Sequence, residues 1–202
     1  GMTYAEFCRT GIDLTNLSVD MKTTPEPYFC TPAGAHIFGR AGVDGIHYCF
    51  LPGFGETVFA VSPMNGAGER IHPIAASFDD FLRLLLACGD AAALEQAWQW
   101  DETQFQTFLD ETEPDEAAME ALRGLGLAPM AHPWAYLKAL RGRLAAKLPP
   151  ETSEEDAPRA CPDWRVFYGR NFWAARGRGK PGEELPLGHR FRWGDVDWQA
   201  LS

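Results

Sequence analysis

The clearest pattern in the chain lies between residues 77 and 89. Phe78, Phe81, Leu82, Leu85 and Leu86 recur three and four positions apart, the spacing of one helix face. Ser77 stands before them as an N-cap. Asp79 and Asp80 fall in the first turn, where negative charge meets the positive end of the helix dipole, and Gly89 supplies the stop. Upstream the pattern alternates instead. From Gly45, Ile46, Tyr48 and Phe50 interleave with His47, Cys49 and Leu51, and both sets are mostly apolar, which predicts a strand covered on two faces. Pro52-Gly53-Phe54-Gly55 reads as a turn, because Pro presets φ and Gly accepts positive φ. Thr57 to Val61, β-branched and aromatic, is then the antiparallel partner. After a second turn at Asn65-Gly66-Ala67-Gly68, Arg70 to Ala75 forms a third short strand.

Helices dominate the chain after Gly89. The pattern predicts them over 91–100, 101–109, 114–122 and 132–148. Phe105, Phe108 and Leu109 form a stripe in the second, Pro114 and Gly124 bracket the third, and Trp134, Leu137, Leu140 and Leu144 line the fourth. Ahead of the strands, residues 3–10 suit a short helix with Tyr4, Phe7 and Cys8 on one side. Residues 11–35 read as irregular chain with one extended piece at Tyr28-Phe29-Cys30. A hairpin of strands followed by a run of helices defines the expected fold class: α+β, a mainly antiparallel sheet packed by several helices.

The 202 residues, 46% hydrophobic and 23% charged, suit one globular domain with an appendage. That domain is expected over residues 1–148. Pro149-Pro150 and the acidic Glu151, Glu154, Glu155 and Asp156 mark a linker over 149–158. An extension over 159–202 is aromatic and basic in its middle, with Trp164, Phe167, Tyr168, Phe172 and Trp173 before Arg176-Gly177-Arg178-Gly179-Lys180. A net charge of -10 disfavours polyanions, both nucleic acid and anionic membrane, and is compatible with a soluble cytoplasmic protein or with a cationic protein partner. The five cysteines are widely spaced with no C-x-x-C pair, so buried thiols in a reducing, cytoplasmic setting are expected, and neither a disulfide framework nor a zinc ribbon. No basic region followed by an apolar core opens the sequence, so no signal peptide is expected, and Gly1 ahead of Met2 is set aside. The longest apolar run, Phe81 to Cys88, is interrupted by Arg83 and too short to span a bilayer.

Three short motifs, taken in order, resemble one family. Asp44-Gly45-Ile46-His47-Tyr48 is similar to the Asp-Gly lead into the first long strand of SMI1/KNR4-like (SUKH) proteins. Pro73 to Leu82 resembles their apolar strand, Ser cap, acidic pair and Phe-Leu start of a helix. Leu125 to Pro129 ahead of Trp134-Ala135-Tyr136-Leu137 is similar to a third element of one branch. The resemblance covers roughly residues 36–145. It implies an α+β scaffold that binds protein, of the immunity type that neutralises a bacterial toxin, often a basic nuclease, by occluding its active site. It implies no catalytic residue, cofactor or metal.

The residues themselves offer several candidate chemistries. His47 and Cys49 lie two apart on one strand and so share a face. With Asp44 they are the nucleus of a possible enzymatic or metal site, for which His36 and His72 are the nearby additional ligands. Packing is the more ordinary fate of such residues, and Asp44 beside Gly45 suits a turn cap. Cys49 with His72, or Cys88 with His132, would make a nucleophilic pair, but neither thiol has a local activating feature. Ser62 and Ser77 lack a G-x-S-x-G elbow, and Gly39, Gly42 and Gly45 precede a strand where a phosphate loop follows one. Arg176 to Lys180, flanked by aromatics, is a candidate grip for nucleic acid. Between Asp101 and Glu120 eight acidic residues occur. Asp110, Glu111, Glu113, Asp115 and Glu116 are the candidate binding residues, since such a surface mimics a phosphate backbone and steers in a basic partner.

Overall fold

The computed structural model describes residues 1–23 and 26–148, and the backbone of two further strands at Arg190–Trp193 and Val196–Gln199. The chain divides into two compact units: Gly1–Pro25 with Gly34–Glu151, and Glu26–Ala33 with Thr152–Ser202. The expected linker over 149–158 lies outside the described residues. The piece 26–33 groups with the C-terminal unit, a partition that no composition break announces. Within that piece Tyr28 and Thr31 close a turn, with the Thr31 N–H donating to the Tyr28 carbonyl at 3.0 Å, in place of the expected extended segment.

The first unit is an α+β fold with an antiparallel sheet, as the alternating and helical periods predict. Its elements run α1 (Tyr4–Thr10), β1 (His36–Arg40), β2 (His47–Phe50), β3 (Val58–Val61), β4 (Ile71–Ala75), α2 (Phe78–Cys88), α3 (Ala91–Gln96), α4 (Glu102–Glu111), α5 (Glu116–Arg123) and α6 (Pro133–Leu144). The sheet order is β1-β2-β3-β4, every neighbouring pair antiparallel. In the second unit β5 (Arg190–Trp193) pairs antiparallel with β6 (Val196–Gln199).

The β2–β3 hairpin and the β4 strand fall where the sequence puts them. β1 is an addition, since the glycines around it mask its strand character. Its register slips between Ile37 and Gly39. A Cβ on Gly39 would sit 3.2 Å from Val19 Cγ1 and 3.5 Å from the Asp20 carbonyl oxygen, so the missing side chain makes room for the 19–20 segment alongside the strand. Asp20 and Arg40 exchange backbone hydrogen bonds there, at 2.7 and 2.9 Å, along the free edge of β1. On the opposite edge, Pro73 lies within β4.

The core forms between one face of the sheet and α2. Phe38 stacks on Phe50 with ring centres 4.7 Å apart, and Phe81 approaches both Phe38 and Tyr48 at 6.0 Å. Phe78, Phe81, Leu82, Leu84 and Leu85 are all fully buried, because α2 packs against β4, α3, α5 and α6 as well. Ser77 caps α2 as expected, accepting from the Asp80 N–H at 3.1 Å. Tyr136 of α6 ties the β4–α2 junction together: its hydroxyl accepts from the Ala76 N–H at 2.8 Å and donates to Asp80 at 2.7 Å.

Helix limits shift slightly from the periodic reading. The helix expected over 91–100 is α3 followed by a tighter turn at Ala97–Gln99. α5 starts at Glu116, because the Asp115 side chain takes the cap by accepting from the Ala118 N–H at 2.9 Å, so Pro114 precedes the helix. Among the described residues no helix is long and apolar enough to cross a membrane.

Candidate functional site

A cavity of about 230 Å³ opens between α3, the β1–β2 turn and the end of β3. Three elements hold its walls. Asp90 caps α3 by accepting from the Ala92 N–H at 2.7 Å, and its second oxygen accepts from the Ser18 hydroxyl at 2.9 Å, which fixes α3 against the 14–20 segment. The turn closes through Ile46 N–H to the Val43 carbonyl at 3.0 Å and Ala41 N–H to the Ile46 carbonyl at 2.9 Å. Asp44 sits in this turn with φ +52, a left-handed conformation that Asp tolerates better than most residues. The expectation that its carboxylate caps the turn fails: the backbone closes the turn, and among the described residues no N–H donates to Asp44. The carboxylate belongs instead to the cavity wall.

Facing it are Glu95 of α3, only 5% exposed, and Tyr48 of β2, wholly buried. Burial pushes the Glu95 carboxyl up to about 7, with the negative charge of Asp44 adding to the effect. Burial likewise holds the Tyr48 hydroxyl well above its ordinary range, followed by the charges of Glu95 and Asp90. Among the described residues that hydroxyl has no hydrogen-bond partner, and nothing pairs with Glu95. At the mouth stand Val43, 62% exposed, and Met64, 75% exposed, the exposed large hydrophobic side chains of the described residues.

His47 and Cys49, expected to share a face, are both buried, and neither lines this cavity; Asp44 is therefore not brought into one site with them. His47 donates from Nδ1 to the Gly45 carbonyl at 2.8 Å, and burial pushes its pKa down to about 4. His72 stacks flat on Trp98 with ring centres 4.6 Å apart and donates from Nε2 to the Glu69 carbonyl at 2.7 Å. Burial pushes the Cys88 thiol up to about 12, away from the thiolate that a nucleophile requires. Among the described residues no three His, Cys, Asp or Glu side chains gather as metal ligands.

The candidate binding carboxylates do come together. α4 ends at Glu111 and α5 begins at Glu116, so Asp110, Glu111, Glu113, Asp115 and Glu116 crowd the corner between the two helices. Asp110, Glu111, Glu113 and Glu116 are exposed. Asp115 is half-buried and engaged, capping α5 and accepting from Asn16 at 3.2 Å. Glu116 and Glu120 share Arg123, at 2.5 and 3.2 Å, and no Lys, Arg or His occurs between 101 and 120.

A second cleft, about 460 Å³, runs between the α3–α4 connection and α6, and Trp98, Trp100 and Trp134 line it. Its cations are already engaged. Arg141 donates to the Trp98 carbonyl at 2.9 Å and to Glu69 at 3.2 Å, and the Lys138 ammonium lies 4.7 Å from the Trp134 ring centre. Neither this cleft nor the part played by Glu95 is anticipated from the sequence. A lone carboxylate beside Leu94 in an alanine-rich helix is the one available signal for Glu95, while the tryptophans read as ordinary helix-face residues. Arg176 to Lys180 lies outside the described residues. No protein-family model, no curated protein and no solved structure matches the chain.

Proposed function

We propose that this chain is a protein-binding module of the immunity type, which neutralises a basic toxin, such as a nuclease, by covering its active site. The observation that carries the reading is the exposed carboxylate corner between α4 and α5, at the centre of a stretch with no basic residue. Four exposed carboxylates within a few residues set up a field that accelerates encounter with a cationic surface and repels polyanions. The tryptophan cleft, whose lining reaches Asp101 at the start of α4, supplies the half-buried aromatic surface that interfaces use as anchors. The resemblance of roughly residues 36–145 to SMI1/KNR4-like proteins supports the same role.

The test compares the wild-type chain with the variant D110K/E111K/E113K, both checked for native circular dichroism. Each is used to capture protein from the lysate of the producing cell at low and at high salt. The wild type should retain a basic protein, release it as salt rises, and lose it on charge reversal. Equal retention by the two chains would show that the corner has no part in binding.

A further inference from the structure

We infer that the cavity between α3, the β1–β2 turn and β3 receives an organic cation carried on an aliphatic stem, an alkylammonium or alkylguanidinium group. Its walls divide into two kinds of surface. The polar part is rich in acceptors: the Asp44 and Glu95 carboxylates, the Tyr48 and Ser62 hydroxyls and the Asn65 amide. Among the described residues no Lys, Arg or His lines it. The apolar part, with Val43, Ile46 and Met64, lies alongside and suits a run of methylenes. A volume of about 230 Å³ falls below the range of about 300 Å³ and upward that drug-sized ligands occupy, and so fits a single side chain or a small amine.

Two further observations point to a guest. Glu95 is a residue only 5% exposed whose carboxyl has no partner among the described residues, and the fully buried Tyr48 hydroxyl is likewise unpaired there. A buried hydroxyl left unpaired is costly to a fold, and beside an unpartnered carboxyl it suits a ligand that completes the bonding. Val43 and Met64, exposed at the mouth, are apolar side chains that a bound guest or its carrier would cover. Because burial holds a proton on Glu95 up to about pH 7, a cation entering near neutrality competes with that proton and displaces it. The cavity is lined by none of the five corner carboxylates, and the inference holds whether or not that corner binds protein.

The guest can come from two sources, a lysine or arginine side chain of a partner protein or a free small amine. The full chain is titrated with n-butylguanidinium, putrescine, Nα-acetylarginine amide and, as the neutral counterpart, n-butanol. Binding is followed by amide NMR shifts at Asp44, Ile46 and Glu95, and by calorimetry near neutral pH in two buffers of different ionisation enthalpy. The expected result is saturable binding of butylguanidinium with net proton release, weakened about tenfold or more in Glu95→Gln. The substitution Asp44→Asn, which leaves the buried carboxyl in place, should give a smaller loss. Retention of the acetylarginine amide over putrescine assigns the site to a partner's side chain; the reverse assigns it to a free amine. Absence of shifts with every cation at tens of millimolar, butanol binding as well as butylguanidinium, or equal affinity in Glu95→Gln would overturn the inference.

Discussion

Replacing Glu95 with Gln isolates the cost of holding a carboxyl in the wall of the α3 cavity. The folded protein raises the Glu95 pKa from an ordinary 4.5 to about 7, by burial first and by the nearby Asp44 second. A displacement of roughly 2.5 pH units corresponds to about 3 kcal/mol of differential stability. The sign follows from which state holds the proton. Between about pH 4.5 and 7 the native chain keeps the Glu95 proton that the unfolded chain has lost, so the stability it contributes is present at low pH and fades as pH rises through 7. The amide of the variant does not titrate. Near pH 5 the wild type carries a neutral acid and should match Glu95→Gln closely. By about pH 8 the wild type has ionised a poorly solvated carboxyl, and the variant should be the more stable by about 1–3 kcal/mol. The lower figure allows for a Gln amide that is itself incompletely paired. His47, pushed down to about 4 by burial, titrates in the other direction, with stability lost as pH falls from about 6.5 through 4, but both proteins share that dependence and it cancels in the difference. Urea unfolding, followed by tryptophan fluorescence at a series of pH values, measures the gap. A gap that stays constant with pH, or a variant less stable than wild type on the alkaline side, would show that ionising Glu95 carries no such cost.

Two other substitutions test the frame that holds the cavity. Phe81→Ala removes a fully buried ring that meets Phe38, Tyr48 and Phe78, and should cost about 3–5 kcal/mol in denaturant unfolding. Tyr136→Phe leaves the Ala76 N–H without its acceptor and Asp80 Oδ2 without its donor; it should cost about 1–3 kcal/mol, with faster amide exchange at Ala76 as the local signature.

The parts of the fold that the sequence announces are those where local pattern and tertiary burial agree. Ser77, the acidic pair and the Phe-Leu stripe specify α2 because the cap, the dipole and the buried face all lie within one short segment. The β2–β3 hairpin is legible for the same reason: two alternating runs meet across a Pro-Gly turn. β1 hides because its glycine is selected by a contact with Val19, distant in sequence, and because the register slip breaks the alternation. The carboxylates of the α4–α5 corner are plain in the sequence one by one, but their compactness depends on where two helices end. The cavity is less accessible still. Asp44 stands out as a turn residue, yet its wall-mates Tyr48 and Glu95 come from a strand and a helix far apart in the chain, and nothing in a linear pattern says that the Tyr48 hydroxyl finds no partner among the described residues.

The two margins of the sheet carry a consequence for how this molecule meets other proteins. Along β1 the Asp20–Arg40 exchange occupies main-chain groups that would otherwise template another chain, and on β4 Pro73 lacks the N–H that an incoming strand would need. Recruitment by β-augmentation, and runaway stacking of copies into fibrils, are both disfavoured by this arrangement. Crowded or partly denatured preparations of the protein therefore have two less inviting seams, in the four-stranded sheet, at which to begin to aggregate.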